Sequence, residues 1–77
     1  MFKFKRELIL PLFLSKGMRV GVLAKQAGLS HKAAERAVNG MPITAPVVEK
    51  IARALAINPL DFLHAPAQMI KEGNYAD

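Results

Sequence analysis

The 77-residue sequence predicts an all-α domain of five short helices. Three observations carry that prediction. Apolar residues recur at helical spacing, most plainly Val48, Ile51, Ala52 and Leu55 at i, i+3, i+4 and i+7. Gly17, Gly28, Gly40, the Asn58-Pro59 pair and Pro66 cut the chain into pieces of helical length. Strand-like alternation is confined to Phe2 and Phe4 set against Lys3 and Lys5, enough for one short N-terminal strand, or a two-stranded ribbon across a dimer, but not for a sheet.

Each element has a local reason. The first helix is expected over about Lys5–Lys16, with Ile9, Leu12 and Phe13 on one face. Pro11 lacks an N–H and crowds the carbonyl of Glu7, so this helix either kinks there or begins near Leu10. A second piece, Gly21–Ala27, carries the stripe Leu23, Ala24 and Ala27 and stops at Gly28, which can take the left-handed C-cap conformation. Ser30 is the N-cap of a third piece reaching Val38, with Ala34, Ala37 and Val38 facing inward and Asn39-Gly40 ending it. Thr44 caps the fourth, with Pro46 tolerated in its first turn. Asn58 caps a short fifth helix whose Leu60 and Leu63 turn back to the core with Phe62 beside them. The chain divides into a domain over residues 1–64 and a loosely ordered tail over residues 65–77.

Composition narrows the function. A chain this short is one domain, burying only about 60% of its unfolded surface, with little room for a substrate cavity. Apolar residues at 52% are too many for a disordered basic tail. With no Cys, disulfides, Cys-based zinc sites and thiol nucleophiles are all excluded. The charge is uneven: residues 1–40 hold eight Lys or Arg against two Glu, whereas residues 41–77 hold three against four acids. That favours a polyanion met by the first half. Lys3–Arg6 followed by the run Leu8–Leu14 imitates a secretory signal, but the run is short and no small-x-small cleavage site follows. A membrane span needs about 20 apolar residues, and the sequence has no such run. A cytoplasmic location is expected.

The second and third pieces, joined by Gly28-Leu29-Ser30, form a helix-turn-helix layout. Ala24 is small where two steeply crossed helices touch, and Gly28 supplies the positive φ of the turn. Leu23, Leu29, Ala34 and Ala37 fill the wedge, and His31, Lys32, Glu35, Arg36 and Asn39 are left as one polar stripe, narrow enough for a major groove.

Leu23-Ala24, Gly28-Leu29-Ser30 and Asn39-Gly40, with Val47–Leu55 and Ile57–Leu63 downstream, resemble the signature of the Cro/lambda-repressor helix-turn-helix family, also called XRE-type regulators. The resemblance spans about Leu8 to Leu63. It implies a compact five-helix, lambda-repressor-like domain that binds duplex DNA, usually as a dimer on a palindromic operator. It also implies that Ser30, His31, Lys32, Glu35 and Arg36 read bases, while Asn39 lies near the phosphate backbone. Arg36 is favoured among these because Arg grips guanine bidentately. Arg19 and Lys25 are the better phosphate candidates, ahead of Lys3, Lys5 and Lys16. The sequence departs from the family where a Thr-Gln pair usually opens the second helix: Arg19-Val20-Gly21 stand there.

The expected function is a DNA-binding transcriptional regulator, a repressor of phage, plasmid or bacterial origin. Alternatives are an antitoxin whose tail, with Met69, Ile70 and Tyr75, wraps a toxin, a recombination directionality factor, or a membrane-surface domain using Met1–Leu14. Neither an enzyme nor a cofactor is expected, since the acids are scattered and no metal-ligand or phosphate-loop spacing occurs.

Overall fold

The N-terminal segment, read as a strand, is pinned inside its own chain. In the computed structural model, which describes residues 1–64, Phe2 pairs antiparallel with Ile43 and Phe4 with Leu63. The Phe2 N–H donates to the Ile43 carbonyl at 2.8 Å and the bond is returned at the same distance. The Lys5 N–H donates to the Phe62 carbonyl, and that of His64 to the Lys3 carbonyl at 2.9 Å. These are isolated bridges rather than a named strand, and they leave Phe4 fully buried. An inter-subunit ribbon at Phe2 and Phe4 is therefore replaced by pairing within one chain. The period-2 alternation survives, with Phe4 inward and Lys3 outward.

Four α-helices follow among the described residues: α1 (Arg6–Ser15), α2 (Val20–Ala27), α3 (His31–Val38) and α4 (Ala45–Leu55). The expected fifth helix is a single 3-10 turn, Pro59–Asp61, capped by Asn58, whose side chain accepts the Leu60 N–H at 3.1 Å. Leu60 does not tuck inward: it is 79% exposed, and Phe62 and Leu63 make the return contact as half-buried residues. The turn is too short to form a second helical face, and the chain reaches the core only after it, at Phe62 and Leu63.

Helix α1 runs unbroken from Arg6 through Pro11, so it does not begin late near Leu10. Pro11 lies outward, with Ile9 and Phe13 buried on the opposite face, so the proline disturbs only an exposed stretch. Helix α2 begins one residue earlier than expected, with Arg19 at the N-cap. Thr44 occupies the N-cap of α4 without a side-chain bond.

Three helices end in the same way. After α2, Gly28 takes φ +72° and the Leu29 N–H reaches back to the Ala24 carbonyl at 2.8 Å. Gly40 takes φ +74° after α3, with Met41 bonded to the Arg36 carbonyl at 2.9 Å. Ala56 takes φ +57° after α4, with Ile57 bonded to the Ala52 carbonyl at 2.9 Å. Each is a left-handed closure that satisfies a terminal carbonyl. The third is made by alanine, which bears a steric cost that glycine avoids.

One hydrophobic core joins these elements: Phe4, Ile9, Phe13, Leu23, Ala34, Ala37, Val38, Ile43, Val48, Ile51 and Leu55 are all buried in it. Helix α3 contributes two alanines and a valine, so its axis lies close to its neighbours, and it packs on α1, α2 and α4. Helix α3 is thus held on its inner side by three neighbours, with its outer face free.

Candidate nucleic-acid interface

The interface begins at the start of α2. Arg19 is extended (φ −100°, ψ 161°) and its side chain makes no capping bond. The first backbone bond into the helix runs from the Leu23 N–H to the Arg19 carbonyl at 3.0 Å. The amides of Val20, Gly21 and Val22 therefore precede the intrahelical ladder. Gly21 and Val22 are exposed, and a Cβ built on Gly21 would stand 4.0 Å from His31 Cδ2. The His31 ring thus lies against the first turn of α2, and the N-terminal ends of α2 and α3 come together.

Helix α3 presents the stripe expected of it. Ser30 Oγ accepts the Ala33 N–H at 3.1 Å, so this hydroxyl acts first as the N-cap. Ala34, Ala37 and Val38 are buried, which at about 100° per residue turns His31, Lys32 and Glu35 outward. All three are exposed. Asn39 is half-buried, and its Nδ2 donates to the Glu35 carbonyl at 2.8 Å, closing the last turn.

Arg36 is placed differently from the other four. It lies at the edge of the stripe, half-buried, and its Nη2 donates to the Pro42 carbonyl at 2.9 Å. This bond crosses the Gly40 turn and ties α3 to the segment that carries the Ile43 bridge. Lys25 is exposed in the last turn of α2, one helical turn beyond the contact between Gly21 and His31. The structure thus turns His31, Lys32 and Glu35 outward together, places exposed Arg19 at the adjoining start of α2, sets Asn39 at the far end of α3, and draws Arg36 to its flank.

Two features beside this surface were not anticipated from the sequence, the approach of Gly21 to His31 and the bond from Arg36 to the Pro42 carbonyl. Gly21 carries a faint signal, since glycine in a helix costs about 0.5–1 kcal/mol relative to alanine and so marks a close approach. Pro42 carries none, because its role is played by a carbonyl. Among the described residues, no group of three or more His, Asp or Glu is placed to hold a metal ion. No described helix is long and apolar enough to cross a membrane.

Two short helices across a glycine turn, with the second clamped on one side and polar on the other, are a helix-turn-helix. The family description of the Cro/C1-type HTH DNA-binding domain matches residues 12–68, well over half of the chain. The chain belongs to that family. As a Cro/C1-type domain it is a DNA-binding module, and the match begins within α1 and covers α2, α3, α4 and the 3-10 turn. The bridged arm, Met1–Lys5, lies outside the matched range. Comparison with curated proteins and with solved structures finds no match.

Proposed function

We propose that this Cro/C1-type domain is a sequence-specific transcriptional repressor that binds a palindromic operator as a dimer, with α3 in the major groove. The observation that carries the reading is the outer face of α3. His31, Lys32 and Glu35 stand exposed above three buried residues, on a helix packed against three neighbours. A helix held this way presents its outer side chains to a groove on a backbone that is already ordered.

The roles follow from chemistry. Lys32 donates to guanine O6 or N7, and His31 and Ser30 contact edges near the start of the helix. Glu35 accepts from a cytosine amine. Arg36 spends one donor on Pro42 and takes mainly a supporting role at the flank. Arg19, with the uncapped amides at the start of α2, holds one phosphate; Lys25 and Asn39 lie near the same backbone.

A single module buries only about 600–1,000 Å² on DNA, so specific binding needs two copies. With Phe4 buried in its own core, the exposed Leu60 beside Pro59 supports pairing through the 3-10 turn rather than through the arm. The tail alternative, a toxin-binding segment over residues 65–77, falls outside the described residues.

Selection from random duplexes tests the reading. A two-fold symmetric motif with half-sites about 10 bp apart is expected. Retention of duplexes without any shared motif would reject it.

A further inference from the structure

Lys3, in the arm, and Arg6, the first residue of α1, are left without a role by the helix-turn-helix, and the fold carries Arg6 to the far end of α3. A Cβ built on Gly40 would stand 3.1 Å from Arg6 Cβ and 3.1 Å from the Phe4 carbonyl oxygen. Gly40 directly follows Asn39, the last residue of the polar stripe. Arg6 therefore begins where that stripe ends, and it is exposed. Lys3 is exposed on the outward side of the bridged arm, next to Phe2, whose partner Ile43 adjoins the Pro42 held by Arg36.

Distance gives this placement meaning. Helix α3 has eight residues, about 12 Å at 1.5 Å per residue, and the major groove is about 12 Å wide. Arg19 and the contact between Gly21 and His31 mark one end of the helix. Arg6 and Lys3 mark the other. Cations at both ends of a groove-spanning helix face both phosphate walls.

A second, independent observation comes from the stability of α1. Lys5 is its N-cap and Arg6 its first residue, and neither side chain caps the helix. Positive charge at a helix N-terminus opposes the macrodipole, and only Glu7 offsets it in the first turn. Residues that break a local rule with no folding gain point to function.

We propose that the N-terminal arm is a preformed phosphate clamp, in which Arg6 and Lys3 grip the DNA backbone at the C-terminal end of α3, opposite the contact made through Arg19. This rests on the DNA-binding reading and adds a second backbone strand to it. The bridges at Phe2 and Phe4 matter here because they order the arm before DNA arrives.

The test is the salt dependence of binding to the selected duplex, for the full chain and for Arg6→Gln, Lys3→Gln and Arg6→Lys. Each lost phosphate contact should make the slope of log K against log salt shallower by about 0.9. On the two-fold duplex each substitution removes two contacts, a slope change of about 1.8, which at 0.15 M salt, extrapolated from 1 M, corresponds to about thirtyfold weaker binding. Arg6→Gln and Lys3→Gln are each expected to show it, with the melting temperature of Arg6→Gln unchanged or raised. Arg6→Lys, which keeps a point charge, is expected to retain the wild-type slope. An unchanged slope in both Gln variants would overturn the clamp while leaving the helix-turn-helix reading intact. A wild-type slope near zero would overturn the DNA-binding reading itself. If Arg6→Gln melts lower, a loss of slope shared by Arg6→Lys would also reject the clamp, because the charge would then not be the cause.

Discussion

Replacing Gly40 and Gly28 by alanine separates backbone strain from the packing of the arm. Both glycines close a helix in nearly the same conformation, φ +74° and +72°. An L residue in that region costs about 1–2 kcal/mol, offset by about 0.4–1 kcal/mol because alanine restricts the unfolded chain. At Gly28 the new methyl meets nothing within 4 Å, so the net loss is about 1 kcal/mol. At Gly40 it meets Arg6 Cβ and the Phe4 carbonyl oxygen, both at 3.1 Å. The latter is backbone, held by the bridge of Phe4 to Leu63, and cannot swing aside. Overpacking of that kind adds about 1–3 kcal/mol. For a domain this size, about 1 kcal/mol lowers Tm by roughly 4–8 °C. Thermal unfolding followed by circular dichroism should therefore show a drop of about that size for Gly28→Ala, and two to four times as much for Gly40→Ala. Equal drops would refute the argument, since they would mean that the arm does not lie against Gly40.

Other substitutions probe the remaining elements. Ala56→Gly should stabilise the domain by about 1 kcal/mol, raising Tm by several degrees, because alanine already occupies the left-handed closure of α4 (φ +57°). A lower Tm would show that this closure is relaxed in solution. Arg36→Ala should cost about 1 kcal/mol of stability through loss of its bond to the Pro42 carbonyl, and weaken cognate and random duplexes to a similar extent. A loss confined to the cognate duplex, read by fluorescence anisotropy, would return Arg36 to the base-reading set.

The parts of this fold legible in the sequence are those governed by neighbours in the chain. Gly28, Ser30 and Gly40 mark helix ends through backbone conformation and capping, and each sits where those rules require. The inward face of α3, Ala34, Ala37 and Val38, follows from periodicity alone. What was illegible is non-local. Alternation at Phe2 and Phe4 shows that the segment is extended, but nothing in it names Ile43 and Leu63 as partners. The outward turn of Leu60 depends on how a three-residue 3-10 turn is oriented, which hydrophobicity does not encode. For the site, the stripe His31, Lys32 and Glu35 was legible, whereas the diversion of Arg36 was not, because its acceptor is a carbonyl across a turn. The approach of Arg6 to Gly40 was hidden for the same reason: it joins the start of α1 to the end of α3.

The central claim is that the outer face of α3 reads base pairs. Its most direct measurement is selection of bound duplexes from a random pool by the wild-type chain and by Lys32→Ala in parallel. The account predicts one symmetric motif for both, with the variant losing preference at one position in each half-site and about 1–3 kcal/mol per half-site on the wild-type duplex. An identical motif at every position, bound with unchanged affinity, would contradict it.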